Sequence, residues 1–568
     1  MRPRQLFVVL SVLAALLVQG FAASAFEPVA ARHGMVVTSE PLATDAGVEI
    51  LQAGGNAVDA AVAVGFALAV TYPYAGNIGG GGFMLVRMAT GDAAFIDYRE
   101  EAPGAATRNM YLDPKGDVIP DASIVGAPAV GVPGTVAGLA LAEQKYGKLG
   151  LARVMAPAIR LAAEGFPVSY ALARSLRGNR ALLEKFEASR RIFLHEGKLY
   201  EPGEIFKQPE LADTLRLIAL TGPDGFYRGP TAQALVDTMT KYSGLITLAD
   251  LAQYRAKVRE PLVGHFRGYT ILSAPPPSSG GVALVEMLNV LEPLDLGAPD
   301  SYHSIELMTE TMRRAYADRA AYLGDADFVP VPVKGLTSTD YAAKLRAEIL
   351  AAKPDSPVKA GLSAELTEGG QTTHFSVVDA EGNAVSNTYT LNAGYGSGVT
   401  VEGAGFLLND EMDDFASKPG VPNMFGLIQS EANAIAPRKR PLSSMTPTIV
   451  LEDRDAGSVP RVLFVLGSPG GGTIINTVLE VLLNVLAFKM DVREAVTAPR
   501  FHHQWMPDVL EMEDWGFSAD TLDKLKEAGY KLRVRGRIGE CQAITVDPAT
   551  QWRFGAADPR GDGKAAGY

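Results

Sequence analysis

Gln371-Thr372-Thr373-His374-Phe375-Ser376-Val377-Val378-Asp379 puts a threonine at the head of an alternating, β-rich run. Residues 373–379 have the period of a strand, Ala380-Glu381-Gly382-Asn383 make a turn, and residues 384–390 return as a second strand. A hydroxyl at such a position can act as a nucleophile once a base reaches it. On these residues alone the run also reads as an ordinary Thr-rich hairpin.

Other catalytic signatures fall away on inspection. Gly467-Ser468-Pro469-Gly470-Gly471-Gly472-Thr473 has the length of a phosphate-binding loop, but Thr473 stands where that motif needs lysine. Ser468 is not a nucleophile elbow, because Leu466 replaces the first glycine of Gly-x-Ser-x-Gly. The glycines form either a simple turn or a pair of bare N–H donors able to approach an oxyanion. Seven histidines and one cysteine, Cys541, offer no His-x-x-x-His or Cys pair, so no catalytic metal or other cofactor is expected. A net charge of −12 argues against nucleic acid as a partner.

The elements that must position this chemistry alternate without an internal repeat. A hydrophobic content of 47% with 59 glycines suits a tightly packed protein mixing helix and sheet. Residues 43–52 and 57–70 read as apolar helices separated by Gly54-Gly55-Asn56. Asn77-Ile78-Gly79-Gly80-Gly81-Gly82-Phe83 feeds two strands, 84–88 and 94–98, and Arg99 ends the second. Residues 133–323 read as mainly helical, broken by rigid loops at Gly222-Pro223-Asp224-Gly225 and Pro275-Pro276-Pro277-Ser278-Ser279-Gly280-Gly281. From 352 to 370 the apolar periodicity fades, which predicts an exposed, mobile linker running straight into Thr372.

At the amino terminus, Arg2 and Arg4 precede an apolar run from Leu6 to Leu17 and a small-residue site, Ala23-Ser24-Ala25. This pattern predicts a secretory signal over residues 1–25 and a mature chain starting near Phe26. The run is shorter than the roughly 20 residues of a membrane span, so no stable membrane anchor is expected.

Thr372-Thr373-His374, Thr390-Leu391-Asn392, Asn409-Asp410-Glu411-Met412-Asp413-Asp414-Phe415, Arg440-Pro441-Leu442-Ser443-Ser444-Met445 and Pro469-Gly470-Gly471 occur in one order. In that order the chain closely resembles the gamma-glutamyltranspeptidases of the bacterial exported type. Asp97-Tyr98-Arg99-Glu100, Pro499-Arg500-Phe501-His502-His503 and Ala566-Gly567-Tyr568 extend the resemblance over essentially the whole mature chain. It implies an α+β fold, the αββα sandwich of the N-terminal nucleophile (Ntn) hydrolases, with two stacked antiparallel sheets flanked by helices.

The resemblance also implies a proenzyme. Thr372 would attack the Gln371 carbonyl, and the cut would leave a large subunit, 26–371, intertwined with a small catalytic one, 372–568. The freed amine, with an ordinary pKa of roughly 7.7 to 8.0, could then serve the same residue's hydroxyl as base. Arg99, Ser443 and Ser444 would bind the α-carboxylate of a γ-glutamyl donor, and Glu411, Asp414 and Asn392 its ammonium. Gly470 and Gly471 would form the oxyanion hole, and Thr390 would orient Thr372. Glutathione and related γ-glutamyl compounds are the implied donors, with water, amino acids or peptides as acceptors, and the implied compartment is the periplasm or the exterior.

Without the family, Arg99 reads as a surface ion-pair residue, Glu411 with Asp413-Asp414 as a solvated acidic turn or calcium loop, and Ser443-Ser444 as a cap or turn. His374, His502 and His503 read as structural. Two other classes of function remain open: a related acylase cleaving β-lactam side-chain amides, and an uncut, inactive exported binding protein. Residues 417–427 resemble the lid loop of bacterial members, with Phe425 where a well-studied form carries tyrosine. A lid closing by packing is therefore expected. Glu411 stands where the family has either Glu or Gln.

Overall fold

The computed structural model describes residues 27–352, 356–358, 372–452 and 457–568. The expected signal segment, Gln371 and most of the expected linker lie outside these residues. Among the described residues no helix is long and apolar enough to cross a membrane.

Two seven-stranded sheets stack face to face. In the first, β1 (Met35–Thr38), β2 (Gly81–Arg87), β3 (Ala93–Tyr98), β4 (Thr372–Val378) and β5 (Ala384–Thr390) run in the order β1-β4-β5-β2-β3. Lys564–Gly567 lies outside β1 and Lys257–Arg259 outside β3. The second sheet is centred on β6 (Thr448–Glu452), β7 (Arg461–Gly467) and β8 (Gln542–Val546). Arg553–Ala557 and Val29–Ala31 extend it beyond β8, and Tyr269–Ser273 and Leu262–Phe266 beyond β6. Every pairing in the two sheets is antiparallel.

Helices close both outer faces, giving the expected αββα sandwich. On the first sheet lie α1 (Pro41–Gln52) and α2 (Ala57–Thr71), a helix with every residue buried. Such an all-round apolar helix is stable only inside a protein. Its start is fixed by a capping box: Asn56 Oδ1 accepts from the Val58 and Asp59 N–H groups, and the Asp59 carboxylate accepts from Asn56 N–H. On the second sheet lie α3 (Gly280–Leu291) and α5 (Ile474–Leu486), with α4 (Tyr302–Tyr322) packed against α3.

The stretch read as mainly helical, 133–323, in fact also supplies, besides the paired two-residue strands Phe166–Pro167 and Ile205–Phe206, three strands of the two large sheets, Lys257–Arg259, Leu262–Phe266 and Tyr269–Ser273. Each is too short to display a clear period of two. Their turn signal was Arg267-Gly268, where both residues have positive φ, 46° and 85°, as a two-residue hairpin loop requires.

All seven residues of β4 are buried, on both faces. Phe375 and Val377 join the apolar core under α2, whereas the polar face meets the second sheet. Ser376 donates to the Gln542 carbonyl at 3.0 Å, and Ser386 of β5 to the Leu466 carbonyl at 2.9 Å. Because the Ser376 proton is committed, His374 Nε2–H must be the donor to Ser376 Oγ at 3.1 Å, leaving Nδ1 to accept from Thr388 at 2.8 Å. Burial pushes the His374 pKa down to about 3, so the ring is a neutral structural pin. Gly467 faces it because a Cβ there would lie 2.3 Å from the ring.

Candidate active site

The β4–β5 register sets Thr372 directly opposite Thr390. Thr372 Oγ1 lies 3.5 Å from Thr390 Oγ1, which in turn accepts from Asn392 N–H at 2.8 Å. Asn392 takes φ 80°, a conformation asparagine tolerates, and its Nδ2 donates to the Asp410 carbonyl at 3.1 Å. A short cavity, about 20 Å³, is lined by Arg99, Thr372, Thr390, Asn392, Glu411, Asp414, Ser443, Ser444 and Gly471, together with Phe425, Met445 and Ile474. The expected site residues, scattered over more than 370 positions of sequence, are thus brought together. Gly470 is adjacent to the lining, and Gln371 lies outside the described residues.

Arg99 is fully buried rather than a surface ion-pair residue, and Glu411–Asp414 is a buried 3₁₀ turn rather than a solvated one. The Arg99 guanidinium donates to Glu411 and to Asp414, and its Nε to the Pro441 carbonyl at 3.2 Å. Glu100 stands 3.5 Å from the same fork. Burial opposes the guanidinium charge, yet Glu411, Asp414 and Glu100 together hold its pKa above the ordinary value. Burial raises Glu411 and pushes Glu100 up to about 7, with Arg99 opposing both shifts.

Ser443 and Ser444 are held from behind by the loop that the sequence marked as rigid. Ser279 N–H and Oγ–H both donate to the Ser443 carbonyl, at 2.8 and 2.6 Å, and Ser443 N–H donates to the Pro277 carbonyl at 3.0 Å. Arg319 of α4 donates to Ser279 Oγ at 2.9 Å and to Ser444 Oγ at 3.1 Å. One turn earlier, Tyr316 O–H donates to the Gly472 carbonyl. Sequence reading passed over both residues. Their i,i+3 spacing, which puts them on one helix face, was the available signal.

Gly470 (φ 136°) and Gly471 (φ 57°) open a 3₁₀ turn, Gly471–Thr473, that leads into α5. N–H groups at such a start have no helical carbonyl to bond and sit at the positive end of the helix dipole. They suit a developing oxyanion.

The lid is pinned by the same acidic turn. Asn423 Nδ2 donates to Asp414 at 3.2 Å, Met424 N–H to Asp413 at 3.0 Å, and Gln504 Nε2 to the Phe425 carbonyl at 3.1 Å. The Phe425 ring lies so close to Gly471 that a Cβ there would be 2.6 Å from it. The lid is therefore held by these three hydrogen bonds as well as by ring packing, where packing alone was expected. Size does not mark the site: a cavity of about 680 Å³, lined by Leu141, Lys148 and Asp224 among others, holds none of these residues.

The gamma-glutamyltranspeptidase family model matches residues 43–568. The glutathione hydrolase proenzyme of Escherichia coli (strain K12) is 48% identical over 96% of this chain and 93% of its own length. The crystal structure of cephalosporin acylase from Bacillus halodurans superposes with a TM-score of 0.83 at 30% identity, covering 97% of this chain and 98% of that one. A Helicobacter pylori gamma-glutamyltranspeptidase chain gives a TM-score of 0.54 at 47% identity, over 56% of this chain and 91% of its own.

Proposed function

This chain belongs to the gamma-glutamyltranspeptidase family, and we propose that Thr372 carries its reaction. It is a self-processing enzyme that cleaves the γ-glutamyl amide bond of glutathione and related compounds and transfers the γ-glutamyl group. The observation that supports the residue assignment best is the small pocket at the head of β4, where a hydroxyl, an oxyanion-type turn and a buried ion-pair cluster converge.

In maturation, the Thr372 hydroxyl adds to the Gln371 carbonyl, the peptide nitrogen leaves, and water hydrolyses the resulting ester. The products are a Gln371 carboxylate and a free Thr372 amine. In turnover that amine takes the hydroxyl proton as Oγ1 attacks the donor's γ-carbonyl. Negative charge collects on the carbonyl oxygen beside the N–H groups of Gly470 and Gly471. The leaving amine accepts the proton, and a γ-glutamyl ester remains on Thr372. Water releases glutamate; an amino acid or peptide amine takes the γ-glutamyl group instead.

The head group is selected by charge. In the structure Arg99 is paired with the same acids, Glu411 and Asp414, that are assigned to the donor's ammonium. A ligand bearing only one charge would break that pair and leave an unpaired buried ion. A dipolar amino-acid end supplies both partners at once, its carboxylate to Arg99, Ser443 and Ser444, its ammonium to Glu411, Asp414 and Asn392. This favours γ-glutamyl donors over the acylase reading, although the whole-chain likeness to a cephalosporin acylase keeps the latter as a test outcome.

The mature enzyme is proposed to be a heterodimer of residues 26–371 and 372–568, acting in the periplasm or beyond it. The partial coverage of the Helicobacter pylori chain is what a structure divided into two pieces would give. Denaturing electrophoresis should show pieces of roughly 37 and 21 kDa, from average residue mass. Thr372→Ala should remain one band and lose at least about 10³-fold of γ-glutamyl anilide hydrolysis. Thr372→Ser should be cut and retain part of the activity. An uncut Thr372→Ala protein with near-normal activity overturns the assignment, and hydrolysis of a β-lactam side-chain amide in preference to the anilide favours the acylase.

A further inference from the structure

Arg319 is 2% exposed, yet its described hydrogen-bond partners are two neutral hydroxyls, Ser279 Oγ and Ser444 Oγ. Among the described residues no carboxylate lies within ion-pairing distance of it. Arg99, Arg440, Arg500 and Arg560 each meet at least one acid directly, and Arg87 and Arg553 are held by backbone carbonyls, whereas Arg319 has hydroxyls alone. A buried guanidinium without a counter-ion is costly unless something else supplies the charge. Burial lowers the Arg319 pKa, with Tyr316 and Asp414 drawing it back.

Ser444 shows where the missing charge belongs. A hydroxyl has one proton and two lone pairs, and Arg319 Nη2 fills a lone pair at 3.1 Å. The proton must then turn away from Arg319, and Ser444 lines the pocket on that side. A carboxylate bound there accepts the proton and neutralises the guanidinium behind it.

We propose that Arg319 is a positioning residue for donor recognition, a second cation that orients the Ser444 hydroxyl toward the donor's α-carboxylate and makes the pocket select that charge. The proposal rests on the reading of this pocket as the γ-glutamyl site. Tyr316, held to the Gly472 carbonyl from the same helix face, keeps α4 seated when Arg319 is changed.

The test uses the self-cut enzyme with γ-glutamyl p-nitroanilide and with its analogue whose α-carboxylate is a carboxamide. For Arg319→Met, KM for the carboxylate donor should rise about tenfold or more with kcat within about threefold, while KM for the carboxamide stays within about twofold. Arg319→Lys should recover part of the preference, because it restores the charge without the fork. If Arg319→Met fails to fold and cut, Arg319→Lys and Ser279→Ala carry the same readout, each weakening only the carboxylate donor. Equal losses on both donors, or an unchanged donor ratio, overturn the proposal. Wild-type enzyme that turns over neither donor overturns the γ-glutamyl reading beneath it, and the proposal with it.

Discussion

Two buried arginines a few residues' reach apart have opposite employment. Arg440, like Arg99, is fully buried and meets carboxylates, those of Asp97 and Glu101. It also donates to the Asp97 carbonyl at 3.0 Å and the Arg255 carbonyl at 2.8 Å, and lies over the Tyr254 ring. Its fork is consumed by groups that do not line the pocket, and Asp97 is shared with Arg259 at 2.7 Å. The acids on Arg99 border a cavity instead, so they and their guanidinium can exchange partners. The segment from Asp97 to Glu101 serves both clusters, Asp97 and Glu101 turning to Arg440 while Arg99 lines the pocket with Glu100 buried beside it. Burial and ion pairing are therefore common to scaffold and site; access to a cavity separates them.

Mutating the scaffold arginine should give the largest effect. Arg440→Met leaves Asp97 and Glu101 short of a buried partner and should cost about 3–5 kcal/mol of stability in a denaturant melt. Arg99→Met should lose less stability, because Glu411 and Glu100 are already raised toward their neutral forms, but kcat/KM for the γ-glutamyl anilide should fall about 10²–10³-fold. Equal stability losses for the two variants would erase the distinction.

A smaller effect should appear in the pH profile. As pH rises through about 7, Glu100 loses its proton and adds negative charge beside Arg99, in competition with the donor's carboxylate. KM should therefore climb several-fold above neutrality, on the order of what one partly screened charge contributes. Glu100→Gln should flatten that limb and Glu101→Gln should not. A limb that persists in Glu100→Gln assigns the titration elsewhere.

Much of this was readable beforehand. The hairpin of β4 and β5, the helices around Asn56 and the placement of Arg99 at a strand end follow from local period, capping chemistry and turn residues. The ordered motifs supplied the pocket's membership. What local pattern does not carry is pairing across the chain: nothing near Arg99 announces Glu411, more than 300 positions away. Arg319 was hidden for a related reason. With Arg313 and Arg314 nearby, α4 looks like a solvated basic face, whereas all three are buried. The strands between 257 and 273 escaped because their alternation is too short to compete with the helices around them.

The order of strands in the two sheets carries a consequence for assembly. Strands from before and after residue 371 interleave: Lys564–Gly567 pairs with β1, β1 with β4, and β5 with β2, while in the other sheet Val29–Ala31 pairs with Arg553–Ala557 and β6 with Tyr269–Ser273. The proposed cut before Thr372 would make two molecules covalently but open none of these five seams. The intact precursor finds its pairings by a search within one chain, at an effective concentration its own connectivity sets. Denatured pieces of an enzyme cut there would have to find each other in solution. Recovery after denaturation should thus depend on protein concentration for the mature form and not for the uncut Thr372→Ala chain, which makes maturation a one-way latch on the folded state.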